Sequence, residues 1–287
     1  MKMKFNDIYN PVTALPFQCD DTYIEIKPCP ELRPYIKCFW GSKAPYKKLK
    51  TDIKSEHLVI PDTCMDIIFD VNFTENKISN SFCTLDDRAY SILYPNDKEK
   101  LVSTFAIRFY AWGVAFFSEA SLRGTKNSVY DVDCFFSRLK REIEPKLFEV
   151  TDIHERIDLV QQYLLTGINV KRYNSIVNDA LTEILLKKGN LKIEALSKSV
   201  FSSSRQLERL FDEYLGVSPK KLSSLIRYQY LWNEIVFSQN TNLSDLTMKY
   251  GYSDQAHLLN DFKNYHNMSV SQAKDYACKN VVFLQYR

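Results

Sequence analysis

The chain reads as an α+β protein of two domains, strand-rich first and all-helical afterwards, and three observations predict this. Up to about Phe109, short runs rich in β-branched and aromatic residues are punctuated by Pro, Asn and Asp. From about Ala111 the apolar period turns helical. In the last 110 or so residues a helical pattern repeats itself once. At 287 residues, 45% hydrophobic and 25% charged, the chain is long enough for two cores and has a globular composition.

The strands come first. Thr22–Lys27, Tyr35–Trp40, Met65–Asp70 and Phe105–Phe109 are the predicted members. Ile153, Ile157, Val160 and Leu164 then mark one apolar stripe of a helix. That stripe suits packing inside its own domain or a helix–helix contact with a second copy. A boundary at Thr166–Gly167 divides the chain into residues 1–166 and 167–287.

The repeat carries most of the information. Ile193, Leu196 and Val200 are answered 50 positions later by Leu243, Leu246 and Tyr250. After one inserted residue, Ser203, Leu207, Phe211, Tyr214, Gly216 and Ser218 answer to Asp254, Leu258, Phe262, Tyr265, Asn267 and Ser269. Each copy predicts a short helix, a tight turn at Phe201-Ser202 or Gly251-Tyr252-Ser253, and a second helix started by a capping side chain. Ser203 with Gln206 reads as a capping box, and Ser253 or Asp254 can cap the second copy. Gly216 and Asn267 close the copies, being residue types that tolerate the left-handed conformation at a helix end. Helix, turn and capped helix make a helix-turn-helix. Between the copies Pro219 opens a connecting helix to about Phe237, a rod of roughly 30 Å. The stripes predict a closed helical set that folds by itself.

Charge is weakly biased the same way. From Lys171 onward there are 16 Lys/Arg against 11 Asp/Glu, so within a net charge of +3 the helical part is the positive one.

The segment from about Asn190 to Lys274 resembles the AraC/XylS family of bacterial regulators. The residues that carry the likeness are Leu207–Phe211, Gly216-Val-Ser-Pro219, Arg227, Gly251–Leu258 and Phe262-Lys263. The resemblance implies a double helix-turn-helix module that binds double-stranded DNA and regulates transcription, usually as an activator working with RNA polymerase. Ser197, Thr247, Glu234, Asn267, Ser269-Val270 and Ala273-Lys274 depart from the family's pattern. More faintly, Pro30–Trp40, Ile60–Asp62 with Asp66–Phe69, and Phe105–Phe109 resemble a sensor domain associated with this family. That likeness implies a small β-barrel-like domain, related in shape to half of a cupin, followed by helices.

In such units the start of the second helix meets base edges in the major groove. The DNA-contact candidates are therefore Ser203, Ser204, Arg205, Gln206 and Arg209 in the first copy. In the second they are Ser253, Asp254, Gln255, His257, Asn260 and Lys263. Arg205 and Arg209 lie one turn apart and each can pair with a guanine; Gln and Asn suit adenine, and Lys263 a phosphate. The plainer alternative is that the arginines pair with Glu208 and Asp212 on a solvated face.

In the N-terminal half, Asp62, Asp66 and Arg108 either bind a polar effector or form an internal ion pair that closes the barrel. Trp40, Phe69 and Phe109 are core or ligand pocket. The four His residues form no H-x-H cluster, and the seven Cys include no C-x-x-C, so neither a metal site nor a disulfide framework is expected, and no cofactor is called for. No nucleophile–base pair, phosphate loop or Rossmann glycine pattern supports an enzyme.

The reading is a regulator whose N-terminal domain senses a small molecule. The alternatives are an N-terminal domain that only forms a homodimer, and a covalent sensor working through a thiol. No apolar stretch is long enough for a membrane span, and the basic start Met1–Phe5 leads into no apolar segment, so a cytoplasmic protein is expected.

Overall fold

In a computed structural model, residues 5–48, 55–94, 99–238 and 240–278 are described. Met1–Lys4, most of the basic start, lie outside them. The order of elements is the predicted one, strands and then helices.

The predicted strands appear as β1 (Ile24–Ile26), β2 (Ile36–Gly41), β5 (Cys64–Asn72) and β8 (Lys100–Tyr110). Five more occur among the described residues: β3 (Tyr46–Lys48), β4 (Ser55–Val59), β6 (Lys77–Cys83), β7 (Tyr90–Tyr94) and β9 (Val129–Tyr130). All pairings are antiparallel. The main sheet runs β1-β2-β8-β5-β6-β9, with β3 added to the start of β8, while β4 and β7 form a separate pair. The sheet is open, with β1 and β9 at its edges among the described residues.

Alternation along these strands sorts their side chains onto two faces. Phe39, Phe69, Phe105, Ile107 and Phe109 are wholly buried on one face. There Phe109 and Phe82 meet Phe136 of α1 (Asp133–Ile143). Helix α2 (Ile153–Gly167), capped by Asp152, buries Ile153, Ile157, Val160 and Leu164 inside the chain, so this stripe offers no free surface to a second copy. Arg156, also on α2, is fully buried and donates to Ser103, Leu147 and Val150, tying the helix to β8.

The helical part comprises α3 (Ser175–Leu186), α4 (Ile193–Ser199), α5 (Ser204–Leu215), α6 (Pro219–Phe237), α7 (Leu243–Lys249), α8 (Gln255–His266) and α9 (Val270–Cys278). It is not closed on itself. The apolar core continues across the Thr166–Gly167 boundary, and α6 is held from the N-terminal side. The Gln229 amide accepts from the Val12 N–H at 2.7 Å and donates to the Pro61 and Val12 carbonyls. Trp232 Nε1 donates to Thr13 and the Tyr230 hydroxyl to Ile8. A second contact caps the end of α5. The Leu122 and Gly124 N–H groups donate to Glu213 and Asp212, and a side chain at Gly216 would collide with Thr125 and Leu122. Removing residues 1–166 would thus strip partners from α6, which the apolar stripes alone did not reveal.

Candidate nucleic-acid interface

The two helix-turn-helix units are built alike, atom for atom in their turns. In the first, between α4 and α5, the N–H groups of Phe201 and Ser202 donate to Lys198 and Ser197. In the second, between α7 and α8, Gly251 and Tyr252 donate to Met248 and Thr247. These are the same bonds displaced by 50 residues. The capping residues are Ser203, whose hydroxyl accepts from the Gln206 N–H at 3.1 Å, and Asp254, whose carboxylate accepts from the His257 N–H at 2.8 Å. Ser253 is not the cap; its hydroxyl bonds to Asp254 and lies 3.1 Å from His257 Nδ1. Gly216 and Asn267 end the two helices in the left-handed conformation, at φ 72° and 58°.

Leu207, Leu210, Phe211 and Leu215 are buried along α5, which leaves Ser203, Ser204, Arg205, Gln206, Glu208 and Arg209 exposed. Ser204 reaches back to Ser197 Oγ at 3.3 Å, so the serine that departs from the family pattern in α4 joins the two helices of its unit. On α8, Leu258, Phe262, Tyr265 and His266 are buried, and Gln255, His257, Asn260 and Lys263 are exposed with Ser253 and Asp254. Gln255 donates to Ser244 on α7. The His257 N–H holds the Asp254 carboxyl below its ordinary range, so the start of α8 carries an anion that its own helix already uses. The two faces therefore differ: two exposed arginines in the first unit, amides, one lysine and an occupied carboxylate in the second.

Several residues singled out only as departures or motif members prove to fix α6 against the second unit. Glu234 binds Lys249 Nζ at 2.7 Å and accepts from the Tyr250 hydroxyl at 2.6 Å, fastening α6 to α7. Arg227 pairs with Asp261 at 3.1 Å and lies over the ring of Tyr252, whose hydroxyl donates to the same carboxylate. Asp261 is thus turned toward α6 and away from a DNA-facing role. His266, wholly buried beside Trp232 and Phe262, bonds through Nδ1 with the Tyr228 hydroxyl, and burial holds it down to about 3, so it is neutral. No spacing rule marks these contacts, because each joins helices far apart in sequence.

In the N-terminal half the structure brings Trp40, Asp62, Asp66 and Arg108 together on the sheet face away from α1 and α2. Asp66 and Arg108 are direct partners across β5 and β8. The guanidinium binds both carboxylate oxygens of Asp66 at 2.9–3.2 Å and meets Asp62 at 3.4 Å. Trp40 Nε1 donates to Asp66 at 2.7 Å, and Arg108 lies over the Trp40 ring. Burial opposes the charge on Arg108, but the two carboxylates outweigh it. Phe69 stands apart, on the opposite, helix-covered face, where it pairs with Phe105. Burial pushes the thiols of Cys38 and Cys83 up to about 12 and that of Cys64 well above its ordinary value, which makes them poor nucleophiles.

Comparison with known proteins finds one matching family in each half of the chain. Residues 196–275 match the family described as Helix-turn-helix domain, and residues 24–131 match Domain of unknown function (DUF6597). An uncharacterized HTH-type transcriptional regulator of Haemophilus influenzae is 31% identical over 116 residues, 40% of this chain and 37% of that protein. The chain thus spans little more than a third of the curated relative it matches. Among solved structures, an AraC-type transcriptional regulator from Chromobacterium violaceum overlaps 36% of this chain and 93% of its own, at 21% identity and TM-score 0.33. ToxT from Vibrio cholerae, solved with an unsaturated fatty acid bound, overlaps 81% of this chain and 94% of its own, at 11% identity and TM-score 0.39. Residues 196–275 are thus a helix-turn-helix domain, in the segment whose sequence resembles the AraC/XylS regulators.

Proposed function

We propose that this protein is a sequence-specific regulator of transcription whose part from residue 167 onward grips double-stranded DNA with two helix-turn-helix units. The observation that carries the proposal is the pair of units with identical turn hydrogen bonds, each presenting the exposed start of its second helix. In this reading Arg205 and Arg209 read bases from the first unit, with Ser203, Ser204 and Gln206 at the groove edge. Gln255, His257, Asn260 and Lys263, beside Ser253 and Asp254, mainly grip the backbone from the second.

The finer role rests on the family resemblance: activation in concert with RNA polymerase, in the cytoplasm, under a small effector sensed by the N-terminal domain. The bonds from Ile8, Val12, Thr13 and Pro61 to α6 support a regulatory N-terminal half, because α6 sets the relation between the two units. For Trp40, Asp62, Asp66 and Arg108 we favour an internal ion-pair cluster that ties β2, β8 and β5 together over effector binding, since their polar groups largely satisfy one another. No helix among the described residues is long and apolar enough to cross a membrane.

Arg209→Ala is expected to weaken binding to the preferred duplex by about 1–3 kcal/mol and to relax base preference in one half of the site. Competition binding against a panel of single-base variants checks this. Equal loss on every sequence would make Arg209 a phosphate contact and overturn its assignment to a base.

A further inference from the structure

The turns of the two units share their hydrogen bonds and their left-handed backbone, yet one is made with glycine and the other with phenylalanine. Gly251 sits at φ 69°, where a residue without Cβ is at no disadvantage, and Asn190 leaves no room there for a side chain. Its counterpart Phe201 holds φ 51°, a conformation disfavoured for bulky L-residues. Packing does not compensate: Phe201 is 96% exposed, the most exposed of the large apolar side chains among the described residues. The second unit also has an aromatic residue in its turn, but there it is Tyr252, buried under Arg227 and bonded to Asp261. Strain without burial, kept where a neighbouring repeat shows glycine to suffice, is the pattern of a side chain held for an external contact.

The position says which contact. Phe201 lies two residues before Ser203, the cap of the helix whose first turns carry Arg205 and Arg209. Within four residues of it along the chain, the other exposed residues are all polar or basic: Lys198, Ser199, Ser203, Ser204 and Arg205. A protein partner binding through this face would have to desolvate those cations; duplex DNA meets both kinds of group at once, phosphates for the cations and apolar atoms at the groove edge for the ring. In the major groove the apolar atom that projects furthest is the thymine 5-methyl group, which accepts contact from phenylalanine. Resting on the DNA-binding reading above, we propose that Phe201 is a specificity contact of the first unit, its ring laid on a thymine methyl at the edge of the box read by Arg205 and Arg209.

The test uses the full chain and the duplex it prefers, with uracil replacing thymine one position at a time, and the variants Phe201→Gly and Arg209→Ala. Phe201→Gly is expected to melt at or above the wild-type temperature, because glycine suits the turn. It should bind the thymine duplex about tenfold more weakly. One uracil substitution should cost the wild type a similar factor and Phe201→Gly nothing further, while Arg209→Ala keeps its sensitivity to that position. Unchanged affinity in Phe201→Gly, a uracil effect equal in both proteins, or a melting temperature lowered by several degrees would each overturn the assignment. If the wild type retained no specific duplex, the DNA-binding reading itself would fall; specific wild-type binding with an indifferent Phe201→Gly sinks this inference alone.

Discussion

Inserting about five base pairs between the two boxes of the site is expected to reduce affinity to that of a single unit, a loss on the order of a hundredfold or more. Helix α6 has 19 residues, about 28 Å of rod, and the major groove returns to the same face of B-DNA about every 34 Å. The second half of the rod is fixed on two sides. Arg227, Tyr228 and Glu234 fasten it to the second unit through Asp261, His266, Lys249 and Tyr250, while Gln229 and Trp232 are bonded to the N-terminal chain. Five base pairs turn one box to the far side of the duplex, where a stiff connector cannot follow. Ten, a full turn, restore the face but lengthen the span, so recovery should be partial. Because the units come from one chain in fixed order and differ in their exposed residues, the site should be an asymmetric pair of boxes. Affinity unchanged by the five-base insertion, measured by equilibrium titration at fixed salt, would mean that one unit alone binds.

Arg108→Met should destabilise the chain by about 3–5 kcal/mol at neutral pH, since it leaves the buried carboxylate of Asp66 and the half-buried one of Asp62 without their cation. The deficit should depend on pH in a defined direction. Burial already pushes the Asp62 carboxyl up, against the pull of Arg108, and deleting Arg108 removes that pull. A carboxyl whose folded pKa lies above its unfolded value contributes stability at low pH that is lost as pH rises through the folded value. The variant should therefore recover part of its deficit on acidification from pH 7 toward pH 5. Urea melts across that range check it. A deficit under about 1 kcal/mol and flat with pH would show that the cluster does not hold the strands together, and would return Trp40, Asp62, Asp66 and Arg108 to the effector.

Legibility in the sequence followed locality. The repeat, the cap at Ser203, the left-handed ends at Gly216 and Asn267 and the run of α6 from Pro219 to Phe237 are all local matters of period and capping, and each was readable, while the second cap stayed open between Ser253 and Asp254. The missed strands were not. Tyr46–Lys48 and Lys77–Cys83 lack clear apolar alternation, and what makes them strands is pairing with β8 and β5. Gln229, lodged among Val12 and Pro61, looks in sequence like any helix glutamine, because its partners lie more than 160 residues away. Of the effector candidates, four converge as β5–β8 register dictates, whereas Phe69 is one residue out of phase with them and faces the other way.

The central claim, that one chain reads an asymmetric two-box DNA site, is tested most directly by sequencing the genomic fragments that the purified full-length chain retains at physiological salt. One recurring motif is expected, of two unlike boxes one major-groove turn apart and always in the same order. A palindrome, a single box or no enrichment over input would contradict it.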